Sequence, residues 1–133
     1  MNSSYPLVAS RAGHRCEYCR APEAIFNFPF EVEHIIPLSL GGLNDPDNLA
    51  LACRSCNLFK SVNIDFADPL TGESLRLFHP RRDLFYEHFA WQLQSGQLLA
   101  LTPVGRATIA CLRINSPAQL AARLQWLRLG LIP

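Results

Sequence analysis

The sequence predicts an α+β fold, and three features carry that reading. FEVEHI, residues 30–35, alternates like a strand, with Phe30, Val32 and His34 on one side and Glu31, Glu33 and Ile35 on the other. FAWQLQ and QLLALT suit two further strands, joined as a hairpin at Ser95-Gly96. Near the C-terminus, Thr102-Pro103 and Ser116-Pro117 each set a capping hydroxyl before a proline in the first turn, which marks two helix starts.

The elements follow in order. LVASRAGH reads as a short helix leading into CEYC, and FEVEHI is the first strand. PLSLGGLNDPDN holds Gly-Gly, Asn-Asp-Pro and Asp-Asn turn formers and predicts a compact loop of the Ω kind, after which NLALAC pairs with the first strand. RSCNLFKSV reads as a short helix, and NIDFADPLTGES, with proline and glycine in turn positions, as a connector. The hairpin follows, then a helix through ATIACLR, then a last helix in which Gln119 completes a capping box with Ser116 and Gly130 supplies the stop. Leu120, Leu124 and Leu127 share one face of that helix, with Trp126 beside them.

At 133 residues the chain is expected to form one compact domain, with a division of labour between residues 1–66 and an extension, 67–133, packed on them. With 49% hydrophobic and 17% charged residues it is neither an acidic nor a basic disordered chain. It shows no membrane-length apolar run, and MNSSYPLVASRAGHRC lacks the pattern of a signal peptide, so a cytoplasmic location is expected. The net charge of +1 conceals an asymmetry: the cations of residues 67–133 are all arginine, the residue suited to bidentate phosphate contacts. Any nucleic-acid footprint is local. Arg81 and Arg82, after Pro80 in a loop, and Lys60 are the candidate phosphate contacts.

In a reducing compartment, CxxC pairs point to metal or redox chemistry more than to disulfides. Cys16, Cys19, Cys53 and Cys56 form two such pairs around the strand-loop-strand segment. Four thiolates make a closed tetrahedral shell, so the expected ion is structural Zn2+ in a treble-clef-like finger. Its contribution is on the order of 10 kcal/mol, which makes folding depend on the metal. A dithiol oxidoreductase would need a thioredoxin-like βαβ pattern, which is absent. Cys111 reads as a small buried apolar side chain, His14 as a local surface residue, and Glu17 and Glu31 as surface charge.

Taken together, Glu33-His34 in VEHIIPLSLGG, Asn48 in PDNLALAC and Asn57 in CRSCN, interleaved with the two CxxC pairs, resemble the HNH endonuclease family in its zinc-containing, restriction-endonuclease-like form. The resemblance covers about residues 14–61, and the remainder is similar, less diagnostically, to the C-terminal extension of small stand-alone bacterial HNH proteins. It implies a ββα-metal nuclease core. His34 would be the general base, suited by an imidazole pKa near neutrality. Glu33 and Asn57 would bind a catalytic Mg2+ or Mn2+, and Asn48 would tie the loop to the backbone and so orient His34. Neighbours on an ideal strand face opposite ways, so Glu33 and His34 would share a site only at a strand end or bulge. The implied reaction is hydrolysis of DNA phosphodiesters to 5′-phosphate and 3′-hydroxyl ends, with RNA as an alternative substrate. The rival reading is a catalytically silent zinc module that binds nucleic acid or protein.

Overall fold

The computed structural model describes residues 2–133. Its strands form three separate two-stranded antiparallel sheets among the described residues. Helix α1 (Tyr5–Arg11) precedes the first CxxC knuckle. Strands β1 (Glu31–His34) and β2 (Leu49–Ala52) pair in the register Glu31↔Ala52 to His34↔Leu49. Helix α2 (Arg54–Lys60) follows directly, then the pair β3 (Asp65–Ala67) and β4 (Ser74–Arg76). A single turn, α3 (Phe85–His88), leads into the hairpin β5 (Phe89–Gln92) and β6 (Gln97–Ala100). Helices α4 (Pro103–Leu112) and α5 (Pro117–Arg128) end the chain.

The predicted caps form. Thr102 Oγ1 accepts from Gly105 N–H, and Ser116 Oγ accepts from Gln119 N–H. The reciprocal half of the second capping box is missing, because Ser116 N–H, from which Gln119 Oε1 would accept, donates to Arg113 O at 3.1 Å instead. The first helix ends before the predicted LVASRAGH does: Gly13 and His14 take φ of +62° and +54°, and Glu23 holds the His14 ring at 2.8 Å.

One expectation is corrected. NIDFADPLTGES is a β-hairpin and not a connector. Asp68, almost fully buried, closes its turn by accepting from Leu70 N–H and the Thr71 hydroxyl, and its carboxylate meets the Arg106 guanidinium of α4 at 2.8–2.9 Å. The hairpin therefore depends on a long-range ion pair that local turn chemistry does not announce. In α5, Leu120, Leu124 and Leu127 are half-buried. Its buried side chains are Trp126 and Arg123. Arg123 donates to Gly96 O at 2.7 Å and Ile114 O at 2.9 Å, with its guanidinium 5.3 Å from the Trp91 ring centroid. A buried arginine is sustainable here because backbone carbonyls and an aromatic face replace its water.

One continuous core runs from Val8 and Ala9 of α1, through the cysteines and β2, to Phe78, Phe85, Phe89, Leu98, Leu112 and Ile114. Every residue of β2 is buried, with α1 packed against it. Phe78 sits at the junction, its ring 5.3 Å from Phe89, 5.8 Å from Phe85 and 6.4 Å from Tyr18, all edge to face. Its N–H donates to Thr108 Oγ1 of α4 at 2.8 Å. Truncating Phe78 to Ala leaves a void between the cysteine half and the C-terminal half, and is expected to cost about 3–5 kcal/mol in urea unfolding.

Candidate active site and metal centre

The metal centre is built by two similar turns. In each, the first cysteine's sulfur accepts from the second cysteine's N–H: Cys19 N–H to Cys16 Sγ at 3.5 Å, and Cys56 N–H to Cys53 Sγ at 3.4 Å. Cys53 is also the N-cap of α2, so the second knuckle and the helix start are one structure. All four sulfurs lie within 4.8 Å of one another, and Cys19 Sγ is 3.7 Å from Cys53 Sγ. Tetrahedral zinc with Zn–S bonds of about 2.3 Å requires sulfurs about 3.8 Å apart, so the donor set fits. Thiol donation from Cys16, Cys19 and Cys56 holds Cys53 far below the ordinary thiol range. The four buried cysteines are thus able to hold a structural zinc ion.

The first knuckle joins β2 through Glu17. Glu17 N–H donates to Leu51 O and Leu51 N–H donates to Glu17 Oε2, each at 2.8 Å. The remaining Glu17 oxygen pairs with Arg81. The expectation of Glu17 as surface charge is therefore corrected: it is buried, and its ion pair brings the later segment onto the knuckle. Glu31 is exposed, as expected.

The loop between β1 and β2 is held by Asn48. Its Oδ1 accepts from Ile36 N–H at 2.9 Å, and its Nδ2 donates to Ile36 O at 2.9 Å and Leu43 O at 2.8 Å. Ile35 N–H donates to Asn48 O at 2.8 Å, so the pairing continues past His34. Gly42 lets the loop close this tightly, since a Cβ there would lie 1.8 Å from Ile36 O and 2.9 Å from Asn48 Nδ2. Arg11, reaching over from α1, donates to Pro46 O and Leu49 O at 3.0 and 2.8 Å.

His34 ends β1, half-buried, with Nε2 3.0 Å from Asn44 Oδ1. With Asn44 Oδ1 as the acceptor, the ring proton would sit on Nε2, the tautomer that keeps a lone pair on Nδ1. Asn44 was not singled out in the sequence; an asparagine in a run of turn formers carries no distinguishing signal.

Glu33 is placed elsewhere. The β1–β2 register is regular, with no bulge to bring Glu33 and His34 to one side. Glu33 is buried, accepting from the Tyr18 hydroxyl on Oε1 and pairing through Oε2 with Lys60 Nζ at 3.0 Å. Burial pushes its carboxyl above the usual range, while the Lys60 charge and the Tyr18 hydroxyl pull against that shift. Lys60 is only 2% exposed and donates to Ile35 O at 2.8 Å, which corrects its expected role as a phosphate contact. Asn57 is half-buried on α2, one turn before Lys60, and no hydrogen bond joins it to His34 among the described residues. Arg81 is engaged by Glu17, whereas Arg82 is exposed. His14 lies on the surface and Cys111 is buried, as expected, with the Cys111 sulfur 3.9 Å from Phe59 O.

The hard-ion pair expected at Glu33 and Asn57 does not fit this arrangement. Both Glu33 oxygens are already used by buried donors, which leaves a single amide. Among the described residues, the four cysteines form the one cluster of three or more His, Cys, Asp or Glu side chains able to share an ion.

Fold and site together define a small α+β protein whose metal-binding knuckles frame a β-loop-β-helix unit. Residues 16–62 match the family model of HNH endonucleases, and that stretch contains the four cysteines able to share a metal ion. No curated protein and no solved structure matches the chain. No helix among the described residues is long and apolar enough to cross a membrane.

Two outcomes are expected from this geometry. Stripping the metal with a strong chelator should release all four knuckle thiols to a thiol reagent and collapse the near-ultraviolet circular dichroism, because the ion's binding energy is also folding energy. Gly42→Ala forces the loop away from Ile36 and Asn48 and should cost about 2–3 kcal/mol, measured by thermal or urea unfolding.

Proposed function

We propose that the protein is a nucleic-acid endonuclease that hydrolyses phosphodiester bonds, with His34 as its general base. The single observation that carries the reading is the His34–Asn44 hydrogen bond within the HNH-family segment, which leaves Nδ1 free to take a proton. His34 Nδ1 removes a proton from a water molecule as its oxygen attacks phosphorus. The new P–O bond forms as the bond to the 3′ oxygen breaks, and the leaving 3′ oxygen takes a proton from solvent water, giving a 5′-phosphate and a 3′-hydroxyl. Asn44 holds the ring and balances the imidazolium as it forms, and Asn48 keeps the loop that carries Asn44 closed. A hard divalent ion such as Mg2+ or Mn2+ supplies charge stabilisation in this class of chemistry. Since the expected donors do not fit such an ion here, no step is assigned to it.

DNA is the proposed substrate. Exposed Arg82 is a proposed phosphate contact; Arg81 would contribute by positioning the segment through Glu17. Residues 1–66 would be the nuclease core and 67–133 the extension that buttresses it, in a reducing, cytoplasmic setting that keeps the thiolates available to zinc. The sequestration of Glu33 favours one second reading, a silent zinc module that binds nucleic acid or protein.

Cleavage of supercoiled plasmid by zinc-loaded protein, with magnesium, manganese or EDTA, separates the two. His34→Ala is expected to lower the rate by roughly 10²–10⁴ while zinc content and the folded spectrum stay unchanged. Wild-type protein that holds zinc, is folded and cuts nothing with any metal would make the silent module the correct reading.

A further inference from the structure

The three donors of the Lys60 ammonium are all directed at one place. Nζ lies 2.8 Å from Ile35 O, 3.0 Å from Glu33 Oε2 and 3.4 Å from His34 O, with the residue 2% exposed. Glu33 is equally committed, to Lys60 on one oxygen and to Tyr18 on the other. Taking an ammonium and a carboxylate out of water is expensive, and an apolar pair of similar volume would fill the same space more cheaply. What an apolar pair could not do is hold peptide carbonyls. The carbonyls held are those of His34 and the residue after it, where the chain leaves β1 for the loop.

The assembly also spans the whole metal centre. Tyr18 lies between Cys16 and Cys19 in the first knuckle, and Lys60 ends the helix that Cys53 caps and Cys56 enters. A displacement of either knuckle is therefore transmitted to the backbone of His34. We propose that Glu33 and Lys60 are positioning residues for His34, with Lys60 clamping the strand end, Glu33 holding Lys60 and Tyr18 locking Glu33 to the first knuckle, and that Glu33 does not ligate a catalytic ion. This rests on the reading of the protein as a nuclease with His34 as base.

The test uses the full-length, zinc-loaded protein on a fluorescent DNA duplex, with Glu33→Gln, Lys60→Met and the double variant. The rate is followed across magnesium and manganese concentrations, well below each variant's unfolding temperature. Each single variant is expected to lose tenfold or more in kcat, with KM and the half-saturating metal concentration within about twofold of wild type. The double variant should be no worse than the poorer single one, because both remove the same clamp. Tyr18→Phe, which keeps the ring and deletes only the hydroxyl, should show a smaller loss of the same kind and serves if a charge variant fails to fold.

Unchanged kcat in folded Lys60→Met or Tyr18→Phe would overturn the proposal, since a merely structural strut lowers stability without touching turnover. A tenfold rise in half-saturating metal for Glu33→Gln but not for Lys60→Met would overturn it too, by making Glu33 a ligand. Wild type that is inactive with every metal would instead sink the nuclease reading, and the positioning role with it.

Discussion

Four sulfurs within reach of one ion hold together elements too small to hold themselves. Strands β1 and β2 have four residues each, and a two-stranded pair of that length is marginal on its own. Helix α2 has seven residues, short for an independent helix. The knuckles bring these pieces to one set of four donors that an ion could join, with Cys16 and Cys19 ahead of β1 and Cys53 and Cys56 at the junction of β2 with α2. Once that joint is set, little freedom remains in where His34 points.

Around the metal centre the structure is organised by buried carboxylates, each a hub for several donors. Glu17 serves Leu51 N–H and Arg81. Glu23 collects the Tyr5 hydroxyl, the His14 ring and Phe30 N–H at 2.6–2.8 Å, which together bring it below its usual range although burial pushes the other way. The hydrogen bond it accepts from the Tyr5 hydroxyl in turn pushes that hydroxyl up to about 12, with burial adding to the shift. Glu33 joins Tyr18 to Lys60, and Asp68 joins the β3–β4 turn to α4. A core with many small elements has many backbone ends to satisfy, and a carboxylate with two oxygens can close two or three of them at once.

The candidate site divides into a rigid part and a chemical part. Asn48, Gly42 and Arg11 shape the loop through backbone contacts alone. His34 and Asn44 meet at the more open edge of that frame, where a water and a phosphate could approach. The division explains why the two asparagines differ in burial: Asn48 spends its amide on the protein's own backbone, while Asn44 spends its oxygen on the imidazole.

The elements that depend on neighbours in sequence were legible from residues alone. Period-two alternation marked β1, hydroxyl-proline pairs marked the starts of α4 and α5, and the CxxC spacing marked the metal ligands, because each is a local geometry written in consecutive side chains. Asn48 as a loop tie was implied only by the resemblance to HNH endonucleases, and its partners Ile36 and Leu43 lie elsewhere in the loop. What sequence could not show were the partners of charged side chains. Glu17 and Lys60 look like surface residues until Arg81 and Glu33 are brought to them from far along the chain, and β3–β4 looks like a linker until Arg106 meets Asp68. Residue types and short spacings determined which chemistry this chain can carry. Only the tertiary structure decided which charges face water and which are consumed in holding His34 in place, because burial and pairing are properties of segments that meet in space.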